Sequence, residues 1–464
     1  MVGVARLQER KPRRVLASET VLFQQFLDDD LGCASYLVGD EDAGVAVVVD
    51  PPFAIEPLLA AAARHEVRIT RTIETHTHAD HLSGHGRLAL EHGVPVSIHG
   101  AAEVSYPHDP LDDGQELELG QVVLRAVHTP GHRPEHTCLV ALDRSRGDEP
   151  WLVLTGDSLF VGDAARPDLA VGAKEGAEDL FRSLRRLLEL ADGVEVFPGH
   201  VAGSLCGKGM SSKGSSTIGY ERRFNRALRI ESELEFVTDS SGAGAPKPPN
   251  MSRIVELNRG PFVAAAPPVS ELPAPGDATV LDVRPLGDYL AGHRPGALSV
   301  PISGESFATK AAFVLDPEQP IAIQAASTAE AERAIRGLRS VGFLELEGYV
   351  LEGGGEQMEA VGMDELEALL ADGAELIDVR ERDERDGGYI AGSRNLPYRL
   401  LSVAGADVPT DRPVVTICET GARAGIAASI LAAQGIDARP VLDGGVSVWA
   451  ARGGHTVEFR RCGN

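Results

Sequence analysis

The 464-residue chain has only 5 cysteines, 5% aromatic residues, fewer bases than acids, and no apolar run approaching the roughly 20 residues of a membrane span. Each scarcity excludes something. Five scattered cysteines (Cys33, Cys138, Cys206, Cys418, Cys462) form no disulfide framework and suit a reducing compartment, so each is read as a thiol. Forty-four Lys and Arg against 69 Asp and Glu give a formal net charge of −25. That disfavours a nucleic acid as partner, because binding a phosphate backbone draws on cations that displace counterions. The segment MVGVARLQERKPRRVL is basic, but the apolar stretch of a secretory signal does not follow it. A cytoplasmic protein with no membrane partner is expected. With 43% apolar and 24% charged residues the composition is globular, and at roughly 100–200 residues per domain the length holds two to four cores.

Histidine is unevenly placed: twelve of the 14 lie between His65 and His200. Strand-like stretches repeatedly run into them. GVAVVVDPP (44–52) reads as a buried strand, AIEPLLAAAAR (54–64) as a helix, and ITRTIET (69–75) as a strand entering His76-Thr77-His78-Ala79-Asp80-His81. VVLRAV (122–127) precedes HTPGH, WLVLTGD ends on Asp157 and VEVFPGH ends on His200. A helix is expected over 175–190 and an amphipathic segment near 220–236, closing a first domain at about residue 255.

The second half contains a repeat. Leu281-Asp282-Val283-Arg284 with DYLAGHRPGALSVP matches Ile377-Asp378-Val379-Arg380 with GYIAGSRNLP, 96 residues later. Each copy continues into a strand (320–324 and 413–417), an Ala-rich helical stretch and a Gly-rich end. Two α/β modules are expected, at 262–357 and 358–464, after an Ala/Pro-rich linker.

H-x-H-x-D-H after a strand puts several nitrogen and oxygen ligands on one loop, and His132, Asp157 and His200 can complete a cage. Imidazoles and carboxylates suit Zn, Fe or Mn, and without local thiolates a soft structural zinc site is disfavoured. On THTHADHLSGH, TPGH and GDSLFVGDAARPDL, residues 1–255 resemble the metallo-β-lactamase superfamily, within it the glyoxalase II and persulfide dioxygenase branch. The resemblance implies an αββα fold with a metal site at the edge of two sheets. Two metals would use His76, His78 and His132, then Asp80, His81 and His200, with Asp157 bridging, as in thioester-hydrolysing glyoxalase II. One Fe(II) per chain would use His76, His132 and Asp157, as in persulfide dioxygenases, leaving His78, Asp80, His81 and His200 to orient ligands and water.

PGHVAGSLCGKGMSSKGSSTIGYERRFN (198–225) places Cys206 six residues after His200. Gly203 to Lys208 is one residue too short for a phosphate loop, and Gly209 stands where Ser or Thr is needed. The segment looks like one in multidomain persulfide dioxygenase–sulfurtransferases. There Cys206 would relay sulfane sulfur, with Lys208 and Lys213 attracting an anionic thiol. Arg166 is a candidate for substrate carboxylates, and Asp168 for holding its loop.

Residues 358–464 resemble a rhodanese domain, on Asp378-Val379-Arg380 and on Cys418-Glu419-Thr420-Gly421-Ala422-Arg423 between a strand and an Ala-rich helix. The loop amides, the helix N-terminus and Arg423 would stabilise a thiolate or persulfide at Cys418. C-x4-R is one residue shorter than the loop of cysteine phosphatases, which favours sulfur over phosphoryl transfer. The first copy aligns Ala325 with Cys418, so a catalytic role is not expected there. Cys33, Cys138 and Cys462 are expected to be packing or tail residues.

The expected fold is therefore α/β multidomain, an αββα metallo-β-lactamase fold followed by two rhodanese-like domains. The expected activity is oxidation of a glutathione-like persulfide by O2 to sulfite and thiol, with Cys418 passing sulfane sulfur to sulfite to form thiosulfate in sulfide detoxification. A homo-oligomer is expected. The rival readings are a dinuclear Zn thioester hydrolase fused to rhodanese and a non-catalytic sulfur carrier or sensor.

Overall fold

The computed structural model describes residues 21–167, 172–201, 210–240, 247–404 and 408–458. The chain divides into two compact units, residues 1–265 with 340–342, and residues 266–339 with 343–464.

The first unit is built on two six-stranded sheets. One carries, in chain order, Val21–Leu27, Ala34–Asp40, Val45–Val49, Arg68–Ile73, Val96–Ile98 and Asp109–Pro110. The other runs Ser216–Thr217, Glu195–Pro198, Pro150–Gly156, Thr137–Asp143, Val122–His128, Glu116–Leu119. Strand side chains alternate between faces, and in these strands both faces are apolar. Val38, Val47, Val49, Leu124, Leu139, Leu152 and Leu154 meet between the sheets. Their neighbours Leu37, Ala46 and Val48 turn outward, into the core that also holds Leu58 and Ala61 of helix Glu56–Arg64. On the opposite side Val123, Val140 and Val153 pack with Leu180, Leu184 and Leu187 of helix Ala173–Leu187. Strands buried on both faces need a helical layer on each outer face, which makes the four-layer αββα sandwich.

This topology positions the polar loops. Pro150–Gly156 and Glu195–Pro198 pair in parallel, so Asp157 and His200 leave their strands at the same edge. Val122–His128 and Thr137–Asp143 are antiparallel, and the connection between them carries Thr129, His132 and His136. The stretch near 220–236 is not one helix. It breaks into Ile218–Phe224, Arg226–Arg229 and the start of Glu233–Ser240. Asn225 interrupts it because its buried side chain is committed elsewhere: Oδ1 accepts the Ala227 N–H at 3.0 Å, while Nδ2 donates to the Asp163 carbonyl at 2.9 Å.

In the second unit the sequence repeat is a structural repeat. The sheet Leu298–Ser299, Thr279–Asp282, Ile321–Gln324, Leu346–Val350 and the sheet Arg394–Asn395, Glu375–Asp378, Val414–Ile417, Ala438–Pro440 share one strand order and are parallel throughout. Each Asp-Val-Arg locks its strand end identically. Arg284 Nε donates to Asp282 Oδ1 at 3.0 Å and Nη2 to the Gly292 carbonyl at 2.8 Å; Arg380 does the same to Asp378 at 3.0 Å and to Gly388 at 2.7 Å.

The two modules pack within this unit. Helix Ala422–Ala433 buries residues all round its axis, which explains its alanine content. A Cβ on Gly425 would strike the Leu286 side chain, and Ser429 Oγ accepts the Ser299 N–H at 2.9 Å. No helix among the described residues is long and apolar enough to cross a membrane.

Cys138 lies in the core beneath helix Ala173–Leu187, and burial pushes its thiol up from 9.0 to about 12. Because the folded value exceeds the unfolded one, its contribution to stability is complete below pH 9.0 and is lost as pH rises through about 12. Native protein at pH about 8 should leave Cys138 unmodified by iodoacetamide while denatured protein is alkylated there, as read by peptide mass spectrometry.

Candidate functional site

Four strand ends deliver their polar residues to one edge of the sandwich, where the side chains sort into three groups. His76, His132 and Asp157 form one; Cys33, Asp80, His81 and His200 a second; Asp50, Glu74 and His78 a third. Within each, one potential ligand atom per residue lies within 4.8 Å of the others.

The first group is held from behind. Thr75 donates through its N–H and its hydroxyl to the two oxygens of Asp50, at 2.7 and 2.8 Å, and the hydroxyl oxygen lies 2.9 Å from His76 Nδ1. The hydroxyl proton is committed to Asp50, so Nδ1–H of His76 must be the donor and Nε2 keeps its lone pair. His132 is fixed in the same sense, with Nδ1–H donating to the Arg166 carbonyl at 3.1 Å. The two Nε2 atoms lie 3.9 and 3.5 Å from Asp157 Oδ2, which is buried and has no hydrogen-bond partner.

Asp157 has further supports. Its N–H donates to His136 Nε2 at 2.9 Å, and His136 Nδ1 lies 2.9 Å from Thr129 Oγ1. Burial, reinforced by His132, holds His136 neutral, with its pKa down to about 3. Burial alone would raise the Asp157 carboxyl, yet His200, 2.6 Å from Oδ1, holds it below the usual range. Burial and the neighbouring rings hold His76 unprotonated as well. Gly156 makes the approach possible. Its φ is +45°, and a Cβ there would stand 2.7 Å from both His136 Nε2 and Thr75 Oγ1.

The His78 ring lies 4.3 Å from that of His76, centre to centre, but its Nε2 is directed to two carboxylates. Its Nε2 lies 3.2 Å from Asp50 Oδ1 and 3.2 Å from Glu74 Oε2. Burial and His81 oppose its charge, but these carboxylates raise it to about 9. In the remaining group, His200 Nε2 lies 2.7 Å from Asp80 Oδ2. Cys33 Sγ sits 3.2 Å from His200 Nε2, 3.5 Å from His81 Nδ1 and 3.6 Å from Asp80 Oδ2. Cys33, expected as a packing residue, thus stands among polar side chains. Its sequence context GCASYLV gave no sign of this, because the bridge Cys33↔His200 is a tertiary pairing. Asn258, 177 residues beyond His81, ties the histidine loop by donating to the carbonyls of His78 (3.0 Å) and His81 (2.8 Å) and accepting the Ser83 N–H (2.9 Å). Nothing local in the sequence marks it.

Arg166 is half-buried and meets the group through its carbonyl. Cys206, Lys208, Asp168 and Cys462 lie outside the described residues. Lys213 is described, with Nζ 5.8 Å from the centre of the Tyr220 ring.

A second site lies in the C-terminal module. Cys418 is buried at the end of strand Val414–Ile417, and its Sγ accepts the Gly421 N–H at 3.1 Å. Gly421 has φ +86°, which turns the loop into helix Ala422–Ala433. Arg423 makes a bidentate pair with Glu384, Nη1 to Oε2 at 2.6 Å and Nη2 to Oε1 at 2.8 Å. In the first module Ala325 stands where Cys418 does, and Glu330 stands where Arg423 does. The Glu330 Oε2 accepts the Ala326 N–H of that loop at 3.0 Å.

Comparison with known proteins assigns a family to each of two stretches of the chain. Residues 28–200 match the metallo-beta-lactamase superfamily and residues 362–452 the rhodanese-like domain. The chain is 33% identical over 226 residues to the uncharacterized protein ML0493 of Mycobacterium leprae, covering 43% of this chain and 94% of the relative. Among solved structures, the metallo-beta-lactamase of Staphylococcus aureus subsp. aureus COL superposes with a TM-score of 0.68 at 27% identity, over 72% of this chain and 100% of that one. The chain belongs to the metallo-β-lactamase superfamily and carries a rhodanese-like domain towards its C-terminal end. Within that superfamily it is homologous to the mitochondrial persulfide dioxygenase ETHE1 of Bos taurus, at 28% identity over 243 residues, 51% of this chain and 87% of the relative.

Replacing Thr75 by Val removes the acceptor that fixes His76. Metal affinity should fall by about 10–100-fold in chelator competition, with the fold retained by circular dichroism. Gly156→Ala should cost more, displacing Thr75 and His136 together and lowering both metal content and melting temperature.

Proposed function

We propose that the first unit oxidises a low-molecular-weight persulfide with O2 to sulfite and thiol, and that Cys418 transfers a sulfane sulfur to sulfite, yielding thiosulfate. The observation that carries the first half is the buried, unpartnered Oδ2 of Asp157 facing two imidazole nitrogens whose opposite ring atoms are already engaged. Such a donor set fits a cation. Two imidazoles and one carboxylate suit one Fe(II) per chain, held by His76, His132 and Asp157. When bound, iron would supply the redox chemistry by which persulfide and O2 react.

The chain's own residues prepare that reaction. Thr75 and the Arg166 carbonyl hold the two rings, His136 and His200 hold Asp157, and the burial of Thr75, the histidines and Asp157 limits access of bulk water. Per turnover, one persulfide anion, one O2 and one water become thiol, sulfite and a proton. One feature favours one metal over the two-zinc arrangement: the Nε2 of His78 is engaged by Asp50 and Glu74. Homology to persulfide dioxygenase supports the same reading.

In the second site the Cys418 thiolate attacks the outer sulfur of a donor persulfide and the donor thiolate leaves. Sulfite then attacks the terminal sulfur of the cysteine persulfide, and the bonding pair returns to Cys418. The Gly421 N–H stabilises Sγ in its anionic form at both stages. Carrying both activities on one chain raises the local concentration of sulfite at its acceptor.

Anaerobically purified protein should contain about one Fe per chain and consume O2 with glutathione persulfide. Two Zn with thioester hydrolysis would sink the reading, and inertness in both assays would favour a carrier. Asp157→Asn should lose iron and O2 uptake together. Cys418→Ser should consume O2 normally but release sulfite in place of thiosulfate, by ion chromatography of the products; unchanged thiosulfate would refute the coupling.

A further inference from the structure

Arg423, Arg380 and Arg399 of the C-terminal module are each paired with a carboxylate. Arg423 lies close enough to Cys418 to feel its charge, but its guanidinium fork is closed on the Glu384 carboxylate at 2.6 and 2.8 Å. That geometry is the strongest available to such a pair. Arg380 is committed to Asp378 through Nε and Nη2, and its Nη1 lies 3.7 Å from Glu419. Arg399 is closed on Glu381 at 2.9 and 3.0 Å.

Glu384 is itself fixed independently of Arg423. Its Oε2 accepts the Glu381 N–H at 3.2 Å, completing the capping box of helix Arg382–Asp386. The backbone therefore sets the position of the carboxylate that neutralises Arg423. In the first module the same position carries Glu330 in place of an arginine, so positive charge at this point is not part of the shared fold.

We propose that Glu384 is a positioning residue that sets the charge preference of the Cys418 pocket. By neutralising Arg423 it leaves doubly charged thiosulfate weakly held and favours sulfur species with a single charge at the reacting end. The proposal rests on Cys418 being the sulfur-transfer nucleophile. Coulomb attraction scales with ligand charge, so cancelling one guanidinium costs a dianion twice what it costs a monoanion at the same distance. The penalty falls on dianionic sulfite as acceptor as well, so the preference lies between donors: thiosulfate leaves readily and competes poorly as a donor with a persulfide. In that reverse reaction the thiolate attacks its outer sulfur, the S–S bond breaks and the electron pair leaves with sulfite.

The test uses the full chain and E384Q, since Gln retains the capping-box hydrogen bond. The KM for thiosulfate should fall about fivefold, and the preference in kcat/KM for glutathione persulfide over thiosulfate should fall with it. In parallel, alkylation of Cys418 by anionic iodoacetate and neutral iodoacetamide is followed by peptide mass spectrometry. The iodoacetate to iodoacetamide rate ratio should rise in E384Q and fall back when Arg423→Gln is added. An unchanged donor preference or an unchanged alkylation ratio would overturn the proposal. Alkylation needs no turnover. If the wild-type protein transfers sulfur from neither donor while the ratio still rises in E384Q, the transfer reading fails and the charge assignment stands.

Discussion

A buried carboxylate with one oxygen deliberately unmatched is the constraint on which the first unit depends. Asp157 is 1% exposed, and an ionised carboxylate at such depth is tolerable only when its surroundings compensate it. His200 compensates Oδ1, His136 receives the N–H, and Oδ2 is left to face His76 and His132. Each compensating ring is anchored in turn, His136 by Thr129 and His200 by Asp80. The αββα sandwich is the rigid frame that allows four strand ends to hold these groups without solvent. Sites on such scaffolds are more precise than sites on isolated loops.

The second unit solves a different problem with duplicated material. Both modules keep the strand order and the Asp-Val-Arg lock, so both retain the framework that presents a loop before a helix. They differ at five of the six loop positions, Ala329 and Ala422 alone matching, and Cys418 and Arg423 in one stand opposite Ala325 and Glu330 in the other. The Ala-rich helix Ala422–Ala433 of the C-terminal module is buried on all sides, partly against its sister module. The module with Ala325 therefore contributes packing to the helix that follows Cys418.

Much of this was legible in the chain. Short apolar runs ending in polar clusters gave the strands that lead into the site, with ends correct to within a few residues, because such runs are a local property. The clustering of twelve histidines before residue 201 located the metal-type site, and the repeat at 281 and 377 located the duplicated modules. The amphipathic segment near 220–236 is helical in three pieces, and what divides the first two is a buried asparagine whose amide donates to the backbone carbonyls of Phe160 and Asp163.

By itself the sequence determined which residue types are available and which strand ends deliver them: His76, His78, Asp80, His81, His132, Asp157, His200, and Cys418 with Arg423. Only the tertiary structure decided how they are partitioned. Whether His78 turns its Nε2 to Asp50 as well as to nearby Glu74, whether Cys33 packs in a core or stands beside His200, and whether Arg423 meets the thiol free or already paired with Glu384 depend on partners 28, 167 and 39 residues away along the chain. Hydrogen bonds and ion pairs reach only about 3–4 Å, so their choice of partner is settled by where the folded backbone brings distant atoms together.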